Sequence, residues 1–204
     1  PRPALLPQPE RRERARKYHA PHGHPERYRL ITFDPDQADA GTWTRYHAFR
    51  RLRHAERLPG DPVSPDADHE VWMRRPEPGS ATKRWQILHG DAVIGGATLG
   101  WVAGGPMLQT NGHLMQGGAG VLPAHRRRGI GTAFARLMAD EMATHGRTVL
   151  TTRSGEDDGR AFLAWLGAEV KLESSENRLD LRAVDWPMVE RWAAEGPSRS
   201  PATS

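Results

Sequence analysis

The chain has 204 residues, and its 29 lysines and arginines nearly balance its 25 aspartates and glutamates, which leaves a net charge of +4. This length suits one domain of the usual size with additional tails. Cysteine is absent, which excludes disulfides, thiolate metal sites and cysteine nucleophiles. No apolar run approaches the roughly 18 residues that cross a membrane, and the first residues lack the apolar stretch of a secretory signal. These features predict a soluble, cytoplasmic protein.

The two ends of the chain are predicted to lie outside the folded domain. Residues 1–26 are rich in proline and arginine, with too few apolar side chains to offset the entropy cost of ordering. We therefore predict a disordered tail over 1–26, a domain over 27–183, a C-terminal helix over 184–195 and a linker-like tail over 196–204. Because the chain begins with proline and both ends resemble linkers, we expect it to be a piece of a longer protein.

The first elements are predicted from apolar periodicity. Alternation predicts a strand from Tyr28 to Phe33, and Asp36 or Asp39 then caps a helix. The apolar face of that helix consists of Trp43, Tyr46, Phe49 and Leu52. A short helix is predicted at residues 70–73. Two strands follow on either side of a Gly90-Asp91 hairpin turn, at residues 85–89 and 92–102.

The third strand of the hairpin region, residues 112–122, is unusually rich in glycine. Glycines at 117, 118 and 120 indicate a bulge or a close approach by a ligand or another backbone. After Pro123 the apolar period becomes helical, and Gly146 is placed to end that helix in the left-handed conformation.

The remaining pattern predicts one more buried strand, a helix, a strand pair and a last helix. The predicted elements are a strand at 148–152, a helix at 157–166 ended by Gly167, and strands at 169–172 and 177–181. The last helix is capped by Asp185 and has Pro187 in its first turn. It is predicted to bury Trp186, Val189 and Trp192. This order of strands and helices is typical of an α/β domain.

Residues 121–132 join the third strand to the long helix and carry a chemical signal. Free N–H groups and the positive dipole end at a helix start attract phosphate, and glycines at 129 and 131 let a ligand approach the backbone. A dinucleotide fingerprint would need a glycine where Phe134 stands, and no Gly-Lys pair exists for a Walker loop. The simpler interpretation of this stretch is a basic, solvated helix start.

The spacing Arg126, two residues, Gly129, one residue, Gly131 resembles the coenzyme A signature of the GNAT superfamily of N-acyltransferases, and the order of elements over residues 28–181 resembles it too. The resemblance implies an α/β (α+β) domain with a mixed, mostly antiparallel sheet, a bulged and splayed central strand and flanking helices. It also implies acetyl-CoA or a related acyl-CoA as co-substrate, and no metal.

By the same resemblance, pantetheine pairs with Ala119, Gly120 and Val121, and the N–H of Val121 faces the thioester oxygen as an oxyanion donor. The pyrophosphate binds at the loop and helix start. The residues implied there are Arg126, Arg127, Arg128, Gly129, Ile130, Gly131 and Thr132.

The catalytic acid and base are harder to assign. Where the family commonly has a tyrosine acid, this chain has Leu163, and the family's asparagine is Glu156. His113 is the candidate base because an unperturbed histidine pKa lies near neutrality, although one histidine among ten is more often a surface or satisfied residue. The acidic run at 156–158 either attracts a cationic amine or is a solvated helix start.

Trp85, Trp101 and Trp165 either line an acceptor pocket or lie in the core. The three histidines of the first tail lack a preformed metal site.

Three functions follow from these observations. The first is an N-acyltransferase that moves an acyl group, most simply acetyl, from acyl-CoA to a primary amine of a small molecule or protein by direct attack in a ternary complex. The second is a catalytically silent, acyl-CoA-binding or structural half of a tandem GNAT protein, whose partner is a second GNAT-like domain. The third is a nucleic-acid binder that uses the arginine-rich tail, and the near balance of charges elsewhere argues against it.

Overall fold

The computed structural model describes residues 28–75, 77–174 and 179–199. They form two compact units divided after Asp157, and this division falls within the predicted 27–183 domain. The predicted tail at 1–26 lies outside the described residues. Over the described ranges, none of the helices combines the length and the apolar character that crossing a membrane requires.

The first unit alternates strands and helices in an order close to the predicted one. Its elements are β1 (Arg29–Thr32), α1 (Ala40–Arg57), α2 (Asp66–Arg74), β2 (Ser80–His89), β3 (Ala92–Val102), α3 (Met107–Asn111), β4 (Leu114–Val121), a 3-10 turn (Pro123–His125), α4 (Ile130–Thr144) and β5 (Val149–Thr151). The short helix α3 was not predicted, and it displaces the start of the third strand from residue 112 to Leu114.

The strands form one five-stranded sheet in the order β1-β2-β3-β4-β5. All neighbours pair antiparallel except β4 and β5, which are parallel. The parallel pairing covers three positions and ends at Gln116 and Thr151, whereas β4 continues to Val121. The structure therefore confirms a mixed, mostly antiparallel sheet whose central strand separates from its neighbour.

Each face of this sheet is covered by one long helix. On one face, α4 buries Ile130, Phe134 and Met138 against residues of β2, β3 and β4 that include Leu99 and Met115. On the other face, Phe49 of α1 packs with Leu88 and Val93. These contacts follow from the sequence, because strand side chains alternate between faces and helix positions three or four apart share a side.

The helix ends are set by local signals that the sequence shows. The Asp39 carboxylate accepts the Thr42 N–H at 2.7 Å and caps α1. This hydrogen bond holds the pKa of Asp39 below its usual value. At the end of α4, Gly146 has φ +63°, and the Arg147 N–H bonds the Met142 carbonyl at 2.8 Å. Both predicted helix ends are confirmed.

An aromatic and histidine cluster joins α1 to α2. Tyr46 stacks on His69, with ring centroids 5.8 Å apart, and its hydroxyl lies 3.1 Å from the His69 Nε2. Burial lowers the pKa of His69 to about 4, and the nearby Arg50 adds to that effect. His69 is therefore neutral in the folded protein at neutral pH.

This burial predicts a specific acid sensitivity. Since the folded pKa of His69 is below its unfolded value of about 6.5, its contribution to stability is complete above pH 6.5 and is lost as the pH falls toward 4. We expect the wild type to lose about 1 kcal/mol more than His69→Phe between pH 7 and pH 4.5, after allowance for partial solvent exposure. Urea unfolding at both pH values measures this difference.

Between pH 7 and pH 4.5 the contribution of His69 to stability changes, whereas those of the carboxylates are retained. Hydrogen bonds from Arg50 and Lys83 hold the pKa values of Asp66 and Glu141 below their usual range. Their contributions are present above an unfolded pKa of about 4 and are lost only at lower pH. The exposed His113 lies outside this cluster, and His113→Phe serves as the control for the substitution itself. Equal pH slopes for the wild type and His69→Phe would contradict the assignment.

The second unit, described by itself, is built around two helices, α5 (Asp157–Trp165, which begins at the boundary) and α6 (Trp186–Arg199). Gly167 has φ +80°, and the Ala168 N–H bonds the Leu163 carbonyl at 3.0 Å, so the predicted glycine end of α5 is confirmed. The Asp185 carboxylate accepts the Met188 N–H at 3.0 Å and caps α6, which continues to Arg199, four residues past the predicted end at 195.

Two predictions for this unit are wrong. Residues 169–174 and 179–181 form no strand, and Asn177 lies outside the described residues. Their alternating pattern is compatible with a strand, but a strand also needs a partner edge, and the apolar side chains of these segments are exposed. Trp186 and Trp192, which were predicted to be buried, are also exposed. In the first unit, β5 is likewise exposed rather than buried.

Candidate active site

The outer edge of β4 is open from Gly117 to Val121, because the pairing with β5 ends at Gln116. On the inner side, the Leu122 N–H bonds the Ile94 carbonyl at 2.9 Å. N–H groups alternate between the two edges of a strand, so those of Ala119 and Val121 face the open edge, whereas that of Gly120 faces β3. Among the described residues, no strand pairs with this part of the edge, so an extended ligand arm can add to it.

The turn after β4 bends the chain sharply into α4. Residues 123–125 form a 3-10 turn, and two left-handed residues follow, Arg127 with φ +58° and Gly129 with φ +82°. Gly129 is the N-cap of α4. A side chain at 129 would strain this conformation, and this explains why glycine stands there.

The start of α4 points its backbone donors at this turn. The first three N–H groups of a helix lack an acceptor one turn earlier, and here they belong to Ile130, Gly131 and Thr132. The Ala133 N–H is the first to bond back, to the Gly129 carbonyl at 3.0 Å. The side chain of Ile130 is buried in the core, so it anchors the helix while its N–H stays at the turn.

Arg126 braces the turn against the rest of the first unit. Its Nε donates to the Val121 carbonyl at 3.1 Å, on the open side of β4. Its Nη2 donates to Glu56 of α1 and lies 3.7 Å from Glu156. A phosphate that bound Arg126 would compete with these carboxylates.

The carboxylates around Arg126 belong to a larger ion network. Glu56 also bonds Arg53 on the same helix, and Glu156 lies 3.1 Å from Arg53 and 3.2 Å from Arg57. Three arginines thus share two glutamates beside the open end of β4. Sequence reasoning missed Arg53 and Glu56, because no local pattern relates α1 to a turn that follows it by 70 residues.

The three glycines of β4 serve different purposes. A Cβ at Gly117 would lie 2.8 Å from the Thr98 carbonyl oxygen, so this glycine is required by the sheet itself. At Gly120 it would lie 2.8 Å from the Nε of Arg53, whereas at Gly118 it would meet open space. The bulge expected in this strand is absent, since β4 pairs with β3 in continuous register. The register shift lies at Ile87 and Leu88 of β2 instead.

The other predicted phosphate ligands lie on the outside of the turn. Arg127 and Arg128 are exposed, and Arg128 donates to the Tyr28 hydroxyl at 3.2 Å. Thr132 is partly buried in the first turn of α4. The structure thus brings the predicted cofactor residues together around one turn.

His113 lies away from this group. It is exposed and precedes β4, at the opposite end of the strand from Val121. Eight strand positions at about 3.3 Å each correspond to roughly 26 Å. Because a base must be within hydrogen-bond reach of its proton, His113 is too far from Val121 to act on a group bound there.

A cavity of about 1370 Å³ adjoins the point where β4 and β5 separate. Its floor includes Thr98, Gly100, Gln116 and Gly118, and its walls include residues of α2 and of the segment after β1. Of the predicted acceptor tryptophans, Trp101 lines this cavity, Trp85 is in the core and Trp165 is exposed in the second unit. The exposed Trp72 also lines it, and no pattern in the sequence predicted this.

Comparison with known proteins places this arrangement in a family. The family model for the acetyltransferase (GNAT) family matches residues 46–168. No curated protein sequence matches the chain significantly.

Three solved structures illustrate the similarity of the fold. An aminoglycoside acetyltransferase from an uncultured soil metagenomic sample, in complex with sisomicin, is 12% identical with a TM-score of 0.57, over 75% of this chain and 97% of that one. A ribosomal-protein-alanine N-acetyltransferase from Brucella melitensis biovar Abortus 2308 is 16% identical with a TM-score of 0.52, over 75% and 99%.

The third is a tandem GNAT protein from the clavulanic acid biosynthesis pathway, which is 25% identical with a TM-score of 0.55. The match covers 69% of this chain but only 43% of that protein. The open β4 edge and the glycine turn before α4 lie within the residues that the family model matches. The chain therefore belongs to the GNAT family of acetyltransferases.

Proposed function

We propose that the chain is an N-acyltransferase that transfers an acyl group, most simply acetyl, from acyl-CoA to a primary amine by direct attack in a ternary complex. The observation that carries the proposal is the open edge of β4 leading into the turn at Gly129. This geometry offers backbone groups to the pantetheine arm and helix N–H groups to the pyrophosphate.

In the proposed complex, the pyrophosphate lies against the N–H groups of Ile130, Gly131 and Thr132. Arg127 and Arg128 add charge from the outside of the turn. Arg126 braces the turn rather than clamping the phosphate, since its guanidinium already bonds Glu56 and the Val121 carbonyl. No metal is required, because the helix N–H groups and the arginines offset the negative charge.

The chemical step joins the amine nitrogen to the thioester carbonyl carbon. The neutral amine attacks, the N–C bond forms and the C–S bond breaks, and the thiolate leaves with the electron pair while the nitrogen loses a proton to solvent. The Val121 N–H, which faces the open edge, stabilises the negative charge that develops on the carbonyl oxygen.

In this proposal no tyrosine protonates the leaving thiolate. Leu163 occupies the position where the family commonly has that tyrosine. A thiol has an ordinary pKa of about 8.5, so the thiolate leaves near neutral pH with little assistance. We therefore expect a slow but measurable reaction.

A screen of acyl-CoAs against primary amines tests the proposal by the release of free thiol. We expect release that depends on both the chain and the amine, with saturation in each substrate. Mass spectrometry of the product should show the acyl group on nitrogen. Failure of coenzyme A to bind the chain would refute the proposal.

The alternative is a catalytically silent half of a tandem protein, and two observations favour considering it. Leu163 removes the usual acid, and the tandem GNAT protein is similar to this chain over 43% of its own length. Acyl-CoA binding without thiol release, across the whole amine panel, would support this alternative over the enzyme.

A further inference from the structure

Arg84 is a half-buried cation on the floor of the 1370 Å³ cavity. It lies in β2 in register with Thr98 of β3, which is in turn in register with Gly118 of β4. These three residues lie side by side across the sheet, and all three line the cavity. Because a Cβ at Gly118 would meet open space, the floor beside Arg84 has room for a ligand.

The Arg84 side chain has no hydrogen bond and no carboxylate within 4 Å among residues 28–75, 77–174 and 179–199. Burial lowers its pKa, and Tyr46, Asp34 and Asp36 oppose that effect from longer range. An arginine stays protonated at neutral pH even so. The cavity floor thus carries a positive charge that lacks a direct partner in the part of the chain that the structure describes.

The other charged side chains of the cavity differ from Arg84 in their pairing or in their exposure. Six cationic side chains of the described residues line it, and Arg57, Arg74 and Lys83 are each paired with a glutamate that does not line the cavity. The acidic lining residues are Asp34, Asp36 and Glu77, all of which are exposed. Interactions at exposed positions are weakened by water, whereas those at a half-buried position are stronger. Arg84 should therefore dominate recognition at the floor.

We propose that this cavity receives an acceptor amine that also carries a carboxylate or a phosphate, and that Arg84 binds this anionic group. The inference rests on the proposed acyltransferase function, because the acceptor amine must reach the open end of β4. Arg84 lies two strand spacings and three residue steps from Val121, about 10 Å in each direction. The diagonal between the two backbone positions is therefore about 14 Å, and a flexible amine whose anionic group lies on the order of 10 bonds away spans it.

The same geometry disfavours polycationic amines. A second ammonium group in the cavity would lie near the unpaired guanidinium and would lose its hydration without gaining an opposite charge. A carboxylate or phosphate forms charge-assisted hydrogen bonds there, and arginine accepts both in a bidentate manner.

A series of ω-amino carboxylic acids and ω-aminoalkyl phosphates, each with its uncharged amide or alcohol counterpart, tests the proposal. Binding to the full chain is measured by ligand-observed NMR with and without coenzyme A, and acetylation is measured by thiol release. We expect the anionic compounds to bind and their uncharged counterparts to bind at least about 10-fold more weakly. The carboxylate and phosphate arms identify which anion is preferred.

Variants assign the effect to one residue. Arg84→Gln should weaken binding of the anionic compounds by roughly 10- to 100-fold and leave the uncharged compounds unchanged, while Arg84→Lys should restore part of the affinity. Arg45→Gln removes a partly buried arginine of α1 that does not line the cavity, so it serves as the matched control. Thermal unfolding of Arg84→Gln should stay close to that of the wild type, since no hydrogen bond is lost.

The outcomes separate this inference from the proposed function. If coenzyme A fails to bind, the acyltransferase proposal fails, and the anion series still tests Arg84 on the free chain. If coenzyme A binds but the uncharged amines bind as well as the anionic ones, or Arg84→Gln changes nothing, the inference alone is overturned. Absence of binding by every anionic compound at millimolar concentration overturns it too.

Discussion

Replacing Gly129 with tryptophan is expected to abolish coenzyme A binding, with at least about a 100-fold loss of affinity by calorimetry. Gly129 has φ +82° and is the N-cap of α4, so its Cα borders the N–H groups proposed to hold the pyrophosphate. An indole at this position would cover those donors. It would also strain the turn, because a left-handed conformation costs an L-residue about 1 to 2 kcal/mol.

A second glycine at the end of the same helix distinguishes the effect of backbone strain from that of steric block. Gly146 ends α4 with φ +63°, and a Cβ there would meet open space. Gly146→Trp should therefore show a comparable loss of stability with unchanged affinity for coenzyme A. If Gly129→Trp retains wild-type affinity while folded, the pyrophosphate does not bind at this turn.

The features that local sequence predicts are those with short-range causes. Each of these features is determined by residues that are close together in the sequence. Examples are the Asp39 cap, the turn between β2 and β3, and the glycines at 129 and 146. Propensity and hydrogen bonding within such a segment act the same way wherever the segment lies. For this reason the sequence alone predicted these helix ends and this turn.

The parts of the site that the sequence did not show depend on contacts between distant segments. Arg126 bonds Glu56 across 70 residues, and Arg53 bonds Glu156 across 103. Gly120 was interpreted as space for a ligand or another backbone, but Arg53 occupies that space. A glycine shows that something approaches the backbone closely, and only the tertiary structure shows which group approaches.

The strand pair predicted for residues 169–172 and 177–181 is absent from its described residues, 169–172 and 179–181, for a related reason. Alternating apolar residues make a segment compatible with a strand, but the free energy of pairing comes from a neighbouring edge and a covered face. Val170 and Leu172 are exposed, so this segment lacks a covered face. Sequence periodicity predicted β2, β3 and β4 of the first unit better because these strands bury apolar side chains against α1 and α4.

Replacing Val121 with proline is expected to lower kcat by about 100- to 1000-fold while coenzyme A binding stays within a few-fold of the wild type. Proline removes the N–H that faces the open edge of β4, and the ladder to β3 does not use that N–H. The pyrophosphate site at the start of α4 is unchanged. Steady-state kinetics with the best amine of the screen, together with calorimetry, measure both effects.

Two companion variants make this result specific. Val121→Ala keeps the N–H and shortens the side chain, so kcat should fall far less than with proline. Gly120→Pro removes a donor that faces β3, in register with Gly96, and should instead lower the stability of the fold. A folded Val121→Pro variant with nearly wild-type kcat would show that the charge on the thioester oxygen is stabilised elsewhere. The alternation of N–H groups along β4 makes neighbouring positions respond differently, because one supports the sheet and the other faces the substrate.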